Sequence, residues 1–300
     1  MTSAVVLGGG DGVSNAFAKK LAHHLGLDYV EAKRRIFPDG ESYLRIEGAG
    51  INFRKVVLVK SMAPPQDKSI VETLLLLDLL KEKGAEEITL IAPYLAYARQ
   101  DREFLPGEAV SIRSILRSLR SAGADTLVTV EIHKEESLKF FDGKAINVSP
   151  FSYMASRVAI EGSLVVLAPD LGALRRAKEF AEALGAEFDY LVKRRDRITG
   201  DIILEPKNVD VKGRNVVIVD DIISTGGTVA KAAELLLGQG AKSITVVVAH
   251  ALMAGDAASK LKKVGVLAVY AANTLPLKEP RLVRHIDITP LVADRLSEVL

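Results

Sequence analysis

The sequence predicts an α/β protein of two similar doubly wound domains, each built on a mostly parallel sheet. Three observations carry this. Short β-branched apolar runs alternate with amphipathic stretches of helical period along most of the 300 residues. The clearest runs are apolar throughout, as in strands covered on both faces. Finally, the two halves echo each other. Val56-Val57-Leu58-Val59 matches Val216-Val217-Ile218-Val219, and Ile88-Thr89-Leu90-Ile91 matches Ile244-Thr245-Val246-Val247. Between the members of each pair lie a turn and a Leu-rich helix ending near Gly84 or Gly240.

In chain order, residues 4–7 form a short buried strand. Residues 8–12 turn, and Ser14 or Asn15 is placed to cap a helix reaching about Leu25. The glycine run is not a dinucleotide fingerprint, because G-x-G-x-x-G fails at Asn15. Pro38-Asp39-Gly40 is a turn signal, followed by an alternating strand at 42–46. Residues 55–60 are a buried strand, 69–83 a helix that Gly84 ends, and 87–92 the next strand. A helix at 111–122 and a strand at 126–132 follow. The second half offers a strand at 164–168, a helix from about Ala173 and a strand at 188–192. Another strand, 216–219, is ended by Asp220 and Asp221. The helix after it carries Val229, Ala233, Leu236 and Leu237 on its apolar face. A strand at 243–249, a helix at 257–264, strands at 267–272 and 283–288 and a helix from Pro290 complete the chain. The expected division is 1–146, joined by a returning segment 285–300, against 147–284.

Composition narrows the function classes. At 48% hydrophobic and 26% charged the chain is globular. A net charge of +2 is too balanced for a nucleic-acid or membrane surface. The absence of cysteine excludes disulfides and thiolate catalysis. The start MTSAVVLGGG lacks a signal-peptide layout, and the apolar runs are far short of a membrane span, so a cytoplasmic location is expected.

The segment most informative about chemistry is 216–237. After its strand and paired carboxylates come Ser224-Thr225-Gly226-Gly227-Thr228, then a helix. The first N–H groups of a helix lack intrahelical partners and carry partial positive charge, so a phosphate can sit there, helped by the hydroxyls. The glycines admit close backbone approach. No lysine accompanies them, so this is not a Walker A loop and suits a monophosphate. Carboxylates beside it can accept from sugar hydroxyls or hold Mg²⁺ through water. Together they suggest a ribose 5-phosphate site. In the first half Lys60-Ser61 stands where Asp220-Asp221 stands, so only one copy keeps this cradle.

Other segments admit two readings. Phe37, Asp39 and Glu41 place an aromatic ring close to two acids on one loop, a set able to stack on a base and accept from an exocyclic amine. Arg99 and Arg102 follow a strand end and suit either an anion site or a surface ion-pair cluster. His133 and Asp170 each stand just past a strand end, where α/β ligands bind. Lys193-Arg194-Arg195-Asp196-Arg197 is either a solvated loop or a lid over a polyphosphate.

The 216–237 segment resembles the phosphoribosyl-diphosphate (PRPP) motif of the type I phosphoribosyltransferase fold. Along its length the chain resembles the ribose-phosphate diphosphokinase, or PRPP synthetase, family, in a short form similar to archaeal members. This resemblance implies a duplicated type I phosphoribosyltransferase-like fold and Mg²⁺-dependent transfer of the diphosphoryl group of ATP to ribose 5-phosphate. It implies that Phe37, Asp39, Gly40 and Glu41 bind adenine, partly across a subunit interface, so that a homodimer is the minimum. It further assigns Arg99, Gln100, Asp101 and His133 to ATP, and His133 and Asp170 to Mg²⁺. Lys193 and Arg195 become the catalytic lid, with Arg195 also at the sugar phosphate. Asp220, Asp221, Ser224, Thr225, Gly226, Gly227 and Thr228 become the ribose 5-phosphate site. Ser224 departs from the family's usual Asp, and the EIHKEES segment departs from its D-L-H form. The serine-and-aromatic tail of the longer, allosteric forms is not seen. A phosphoribosyltransferase, a catalytically silent synthetase-associated protein and a nucleotide sensor remain as rivals.

Overall fold

In the computed structural model the described residues are 4–47, 54–195, 202–206 and 209–298. They form two compact units. The first is 1–148 with 274–276 and 289–300, and the second is 149–273 with 277–288.

The first unit contains β1 (Val5–Gly8), α1 (Gly12–Leu25), β2 (Asp28–Ile36), β3 (Ser42–Ile46) and β4 (Lys55–Val59). It continues through α2 (Gln66–Glu82), β5 (Glu87–Ala92), α3 (Ser111–Ser121), β6 (Thr126–Val130), a 3₁₀ helix Glu135–Phe141 and β7 (Lys144–Val148). The second begins with α4 (Phe151–Ala155), β8 (Leu164–Ala168), a 3₁₀ turn Leu171–Ala173, α5 (Leu174–Glu182), β9 (Glu187–Arg195) and β10 (Ile202–Pro206). It ends with β11 (Asn215–Ile223), α6 (Gly227–Gly238), β12 (Ser243–Ala251), α7 (Ala257–Lys263), β13 (Val266–Ala272) and β14 (Val283–Ile286). The chain then returns to the first unit as α8 (Thr289–Ser297), which packs on α1.

The two sheets have the orders β3-β2-β1-β4-β5-β6-β7 and β10-β9-β8-β11-β12-β13-β14. Adding seven to each strand of the first gives the second, so the repeat seen at four short segments spans both sheets. Neighbours are parallel except β2–β3 and β9–β10, which are antiparallel ribbons at one edge. The central strands are covered on both faces: Val56 to Val59 and Val216 to Val219 are all buried. Each such side chain contributes about 1.5–3 kcal/mol relative to exposure. Helices supply the covering layers. Ile112, Leu116 and Leu119 form the buried stripe of α3, and Val229, Ala233 and Leu236 that of α6.

Local departures from expectation have physical causes. Asp11, not Ser14 or Asn15, caps α1; its Oδ1 accepts from Ser14 N–H at 2.9 Å from an extended backbone. Asn15 Oδ1 instead accepts from Gly10 N–H at 3.0 Å. The strand expected at 216–219 runs to Ile223, because β12 pairs with it through Ile223↔Ala251. The acidic pair therefore lies inside the strand. The strand expected at 126–132 stops at Val130, where Glu131 turns the chain at φ 40°. The strand expected at 188–192 extends through Arg195, paired with Ile202. Besides the 3₁₀ helix Glu135–Phe141, four elements among the described residues went unseen. β2 is mostly exposed and charge-rich, with only Val30 and Ala32 buried, so its alternation is faint. β7, β10 and α4 are five residues each, too short for a clear period.

Candidate active site

Parallel strands bring the motif residues to one edge in each unit, the C-terminal ends where α/β proteins bind ligands. In the second unit β8, β9 and β11 are involved. β11 is flanked by β8, and β8 by β9, all parallel. Asp170 thus follows β8, Lys193 and Arg195 lie at the end of β9, and residues 220–228 end β11 and open α6. The side chains of Lys193 and Arg195 lie outside what is described, as do residues 196–201. In the first unit, residues 37–41 follow β2, Arg99 to Asp101 follow β5, and His133 follows β6.

The cradle begins in β11. Asp221 is buried and Asp220 partly so. Asp221 N–H donates to Asp220 Oδ1 at 2.8 Å. Burial, and then the neighbouring Asp221 carboxylate, push Asp220 well above the usual carboxylate range; Arg176 acts in the opposite direction. Arg176 is itself buried on α5. Its Nη2 lies 3.8 Å from Asp221 Oδ2, and its Nη1 donates to Gly172 O at 3.4 Å. The pair therefore sits with a buried guanidinium beside it.

Beyond Ile223 the chain turns on Gly226, at φ 74°, a left-handed conformation that suits glycine. Its carbonyl starts α6 by accepting from Ala230 N–H at 2.9 Å. Ser224 O accepts from Ala254 N–H at 3.0 Å, which ties the turn to the end of β12. Among the described residues no side chain caps α6. Its N-terminus, with the exposed Thr225 and Thr228, is shaped to receive an anion. Asp170 is exposed. It caps the following 3₁₀ turn, Oδ1 accepting from Ala173 N–H at 3.2 Å.

In the first unit the position matching Asp220 holds Lys60, 0% exposed. Its Nζ donates to Asp11 Oδ2 and Glu72 Oε2 at 2.8 Å each, and to Gly9 O at 3.1 Å. Gly9 is needed here: a Cβ on it would stand 2.5 Å from Lys60 Cδ. A buried ion cluster thus fills the ground of the missing cradle.

The remaining first-unit residues are presented on turns. Phe37 N–H donates to Glu41 O at 2.8 Å and Gly40 N–H to Phe37 O at 2.9 Å, closing the β2–β3 hairpin. Asp39, Gly40 and Glu41 are exposed, and Asp39 Oδ1 accepts from Glu41 N–H at 3.1 Å. Phe37 packs edge-on against Tyr43, with Arg35 over both rings. Arg99 is exposed beyond a bend at Tyr97, φ 63°. Gln100 is half-buried, its N–H donating to Tyr97 O at 3.1 Å. Asp101 and His133 are half-buried too. His133 lies in the first unit and Asp170 in the second. Among the described residues no three His, Asp or Glu side chains cluster as a metal cage. No helix among them is long and apolar enough to cross a membrane.

Sequence reasoning missed Arg176 and Glu72. Arg176 shares a helical stripe with Ala173, Ala177 and Phe180, all buried, so an arginine on an apolar stripe was the available signal. Glu72 offered the same kind of signal beside Leu76 and Leu80.

Comparison with known proteins identifies the family. Residues 10–123 match the family model for the N-terminal domain of ribose phosphate pyrophosphokinase, and residues 152–276 match that of the phosphoribosyl transferase domain. The chain is 44% identical to the ribose-phosphate pyrophosphokinase of Aeropyrum pernix, over 99% of this chain and 97% of that one. It is 41% identical to that of Saccharolobus solfataricus, over 96% and 99% of the two chains. The crystal structure of phosphoribosylpyrophosphate synthetase from Mycobacterium smegmatis superposes with a TM-score of 0.86 at 28% identity, covering 99% of this chain and 98% of that one. The chain belongs to the ribose-phosphate pyrophosphokinase family.

Proposed function

We propose that the chain catalyses diphosphoryl transfer from ATP to ribose 5-phosphate, giving PRPP and AMP. The observation that carries this is the asymmetry of the repeat. The carboxylate pair and open α6 N-terminus occur in the second unit, while Lys60 closes the equivalent ground in the first. One copy is a sugar-phosphate site and the other has been turned to a different use.

In the proposed reaction the 1-hydroxyl of ribose 5-phosphate attacks the β-phosphorus of ATP. The bond from that phosphorus to the bridging oxygen breaks, AMP leaves with the oxygen, and the hydroxyl proton passes to solvent. The protein acts chiefly by positioning and by stabilising charge. Asp220 and Asp221 orient the ribose by accepting from its hydroxyls. Ser224, Thr225, Gly226, Gly227 and Thr228 hold the 5-phosphate on the helix N-terminus. Phe37, Asp39, Gly40 and Glu41 hold the adenine, and Arg99, Gln100 and Asp101 the rest of the nucleotide. Lys193 and Arg195 neutralise charge developing on the transferred group, with Arg195 also at the sugar phosphate.

The donor set fits Mg²⁺, which favours a carboxylate plus substrate phosphate oxygens over an all-protein cage. Asp170, with an exposed carboxylate, would hold it in the second unit, and His133 in the first is assigned to the ATP side. When bound it would neutralise the ATP phosphate oxygens. Assembly at least as a homodimer and a cytoplasmic location complete the proposal.

The test is AMP formation from ATP and Mg²⁺ with and without ribose 5-phosphate. AMP that requires the sugar supports the reading. Consumption of PRPP with a free base would support a phosphoribosyltransferase instead, and no turnover would support a silent protein or a sensor.

A further inference from the structure

The β2–β3 hairpin, which carries residues 37–41, has two differently used faces. Alternation along the strands puts Arg35, Phe37 and Tyr43 on one side and Arg34 and Ser42 on the other, consistent with the register pairs Arg35↔Tyr43 and Ile36↔Ser42. The first side is aromatic and accessible. The second is fastened to α2. Glu72 Oε1 accepts from Arg34 Nε and from Ser42 Oγ, both at 2.6 Å. Four residues earlier on the same helix, Lys68 Nζ donates to Gly40 O at 2.7 Å, touching the loop itself.

The other oxygen of Glu72 faces inward, to Lys60 at 2.8 Å. The Glu72 side chain is 1% exposed and that of Lys60 0%. Removing a carboxylate from water is costly, and three charged or polar donors converge on this one. The pattern is an anchor: a buried cation at the end of β4 holds a buried carboxylate, which grips both strands of an exposed hairpin. Lys60 occupies the position that in the second unit belongs to Asp220. The residue that closed the first cradle is therefore also the inner end of the anchor.

We infer that Glu72, held by Lys60, is a positioning residue for nucleotide binding, fixing the hairpin so that the 37–41 loop is preset for the base. The inference rests on the proposed assignment of that loop to adenine. Without the grip the hairpin visits orientations in which Phe37 and the acids do not meet the base, and apparent affinity falls by the fraction of time spent competent.

The experiment uses Arg34→Met and Ser42→Ala, singly and together. Neither residue is in the proposed catalytic or binding set, and both leave the Lys60–Glu72 pair intact. Three quantities are read: amide hydrogen exchange at 37–41, KM for each substrate, and Tm. The double variant should show exchange in the loop raised roughly tenfold and KM for ATP raised by about the same factor. Exchange in β1 and β4, KM for ribose 5-phosphate and kcat at saturation should stay within about twofold. Arg34→Lys, which keeps a cation toward Glu72, should recover most of the loss.

Unchanged exchange and unchanged KM for ATP would overturn the inference. So would a KM rise shared by both substrates with a fall in Tm, since that is general destabilisation. Raised exchange with KM for ATP unchanged would show that the loop does not hold the base; the adenine assignment and the inference then fall together, leaving AMP formation to be judged separately. Because exchange is measured without turnover, it is readable even if the protein makes no AMP.

Discussion

Asp220→Asn separates what the acidic pair does for binding from what it costs the fold. Asn is nearly isosteric, and its Oδ1 can still accept from Asp221 N–H, a 2.8 Å bond in the wild type. What disappears is one negative charge at a partly buried position beside Asp221. That conflict is why Asp220 sits well above the usual carboxylate range, with burial the larger cause and Asp221 the next. Relieving such a functional-site conflict returns about 0.5–2 kcal/mol, or about 1–8 °C in Tm for a domain of this size. The sign with pH follows. A raised carboxyl contributes stability that is fully present below its unfolded pKa and lost as pH rises through its folded one. The Tm advantage of the variant should therefore be small in acid and widen as pH climbs through that raised range. Binding should move the other way. Losing a charged acceptor costs about 1.5–3 kcal/mol, so KM for ribose 5-phosphate should rise by roughly 10- to 150-fold with KM for ATP little changed. Thermal melts from pH 4 to 8 and steady-state kinetics read both. A variant that melts lower at neutral pH, or that loses ATP rather than sugar affinity, would refute the reasoning.

Three further outcomes are expected. Gly226→Ala should lower Tm without a steric clash, since its Cβ would meet Ala257 only at 3.4 Å while φ 74° disfavours any side chain by about 1–2 kcal/mol; an unchanged Tm would contradict the left-handed turn. Lys60→Met should cost about 3 kcal/mol, the low end for breaking a buried pair, because Arg34 still holds Glu72 Oε1, while changing both Lys60 and Glu72 to Met should recover part of it, as read by urea unfolding. Lys193→Ala should lower kcat roughly 100-fold or more with KM for ATP nearly unchanged, as for a contact made mainly in the transition state; an unchanged kcat would remove Lys193 from the mechanism.

Much of the frame was legible because parallel strands covered on both faces leave continuous apolar runs. β5 and β8 are read to the residue for that reason, and the echo of four segments sufficed to predict a duplication that the sheets carry strand for strand. The cradle was legible because its residues are contiguous from Asp220 to Thr228. Where a feature depends on distant residues the sequence is silent. Asp11, Arg34, Ser42, Lys60 and Glu72 converge across more than sixty positions, and no spacing rule links them. Lys60 could be seen as the loss of an acid, but not as the inner end of an anchor. The extent of β11 was likewise hidden: two adjacent carboxylates look like a strand's end, and only pairing with β12 keeps the chain extended through them to Ile223. The end of β9 at 193–195 was missed because its basic residues resemble a solvated loop, and β10 because it is only five residues long.

The central claim is that this chain moves two phosphoryl groups together onto a sugar hydroxyl. ATP carrying ¹⁸O on its β-phosphoryl oxygens, incubated with Mg²⁺ and ribose 5-phosphate and followed by ³¹P NMR, tests it most directly. The account predicts the β label in a diphosphate on carbon 1 of the sugar, with one AMP formed for each. Label retained in ADP, or nucleotide cleaved equally well without ribose 5-phosphate, would contradict it.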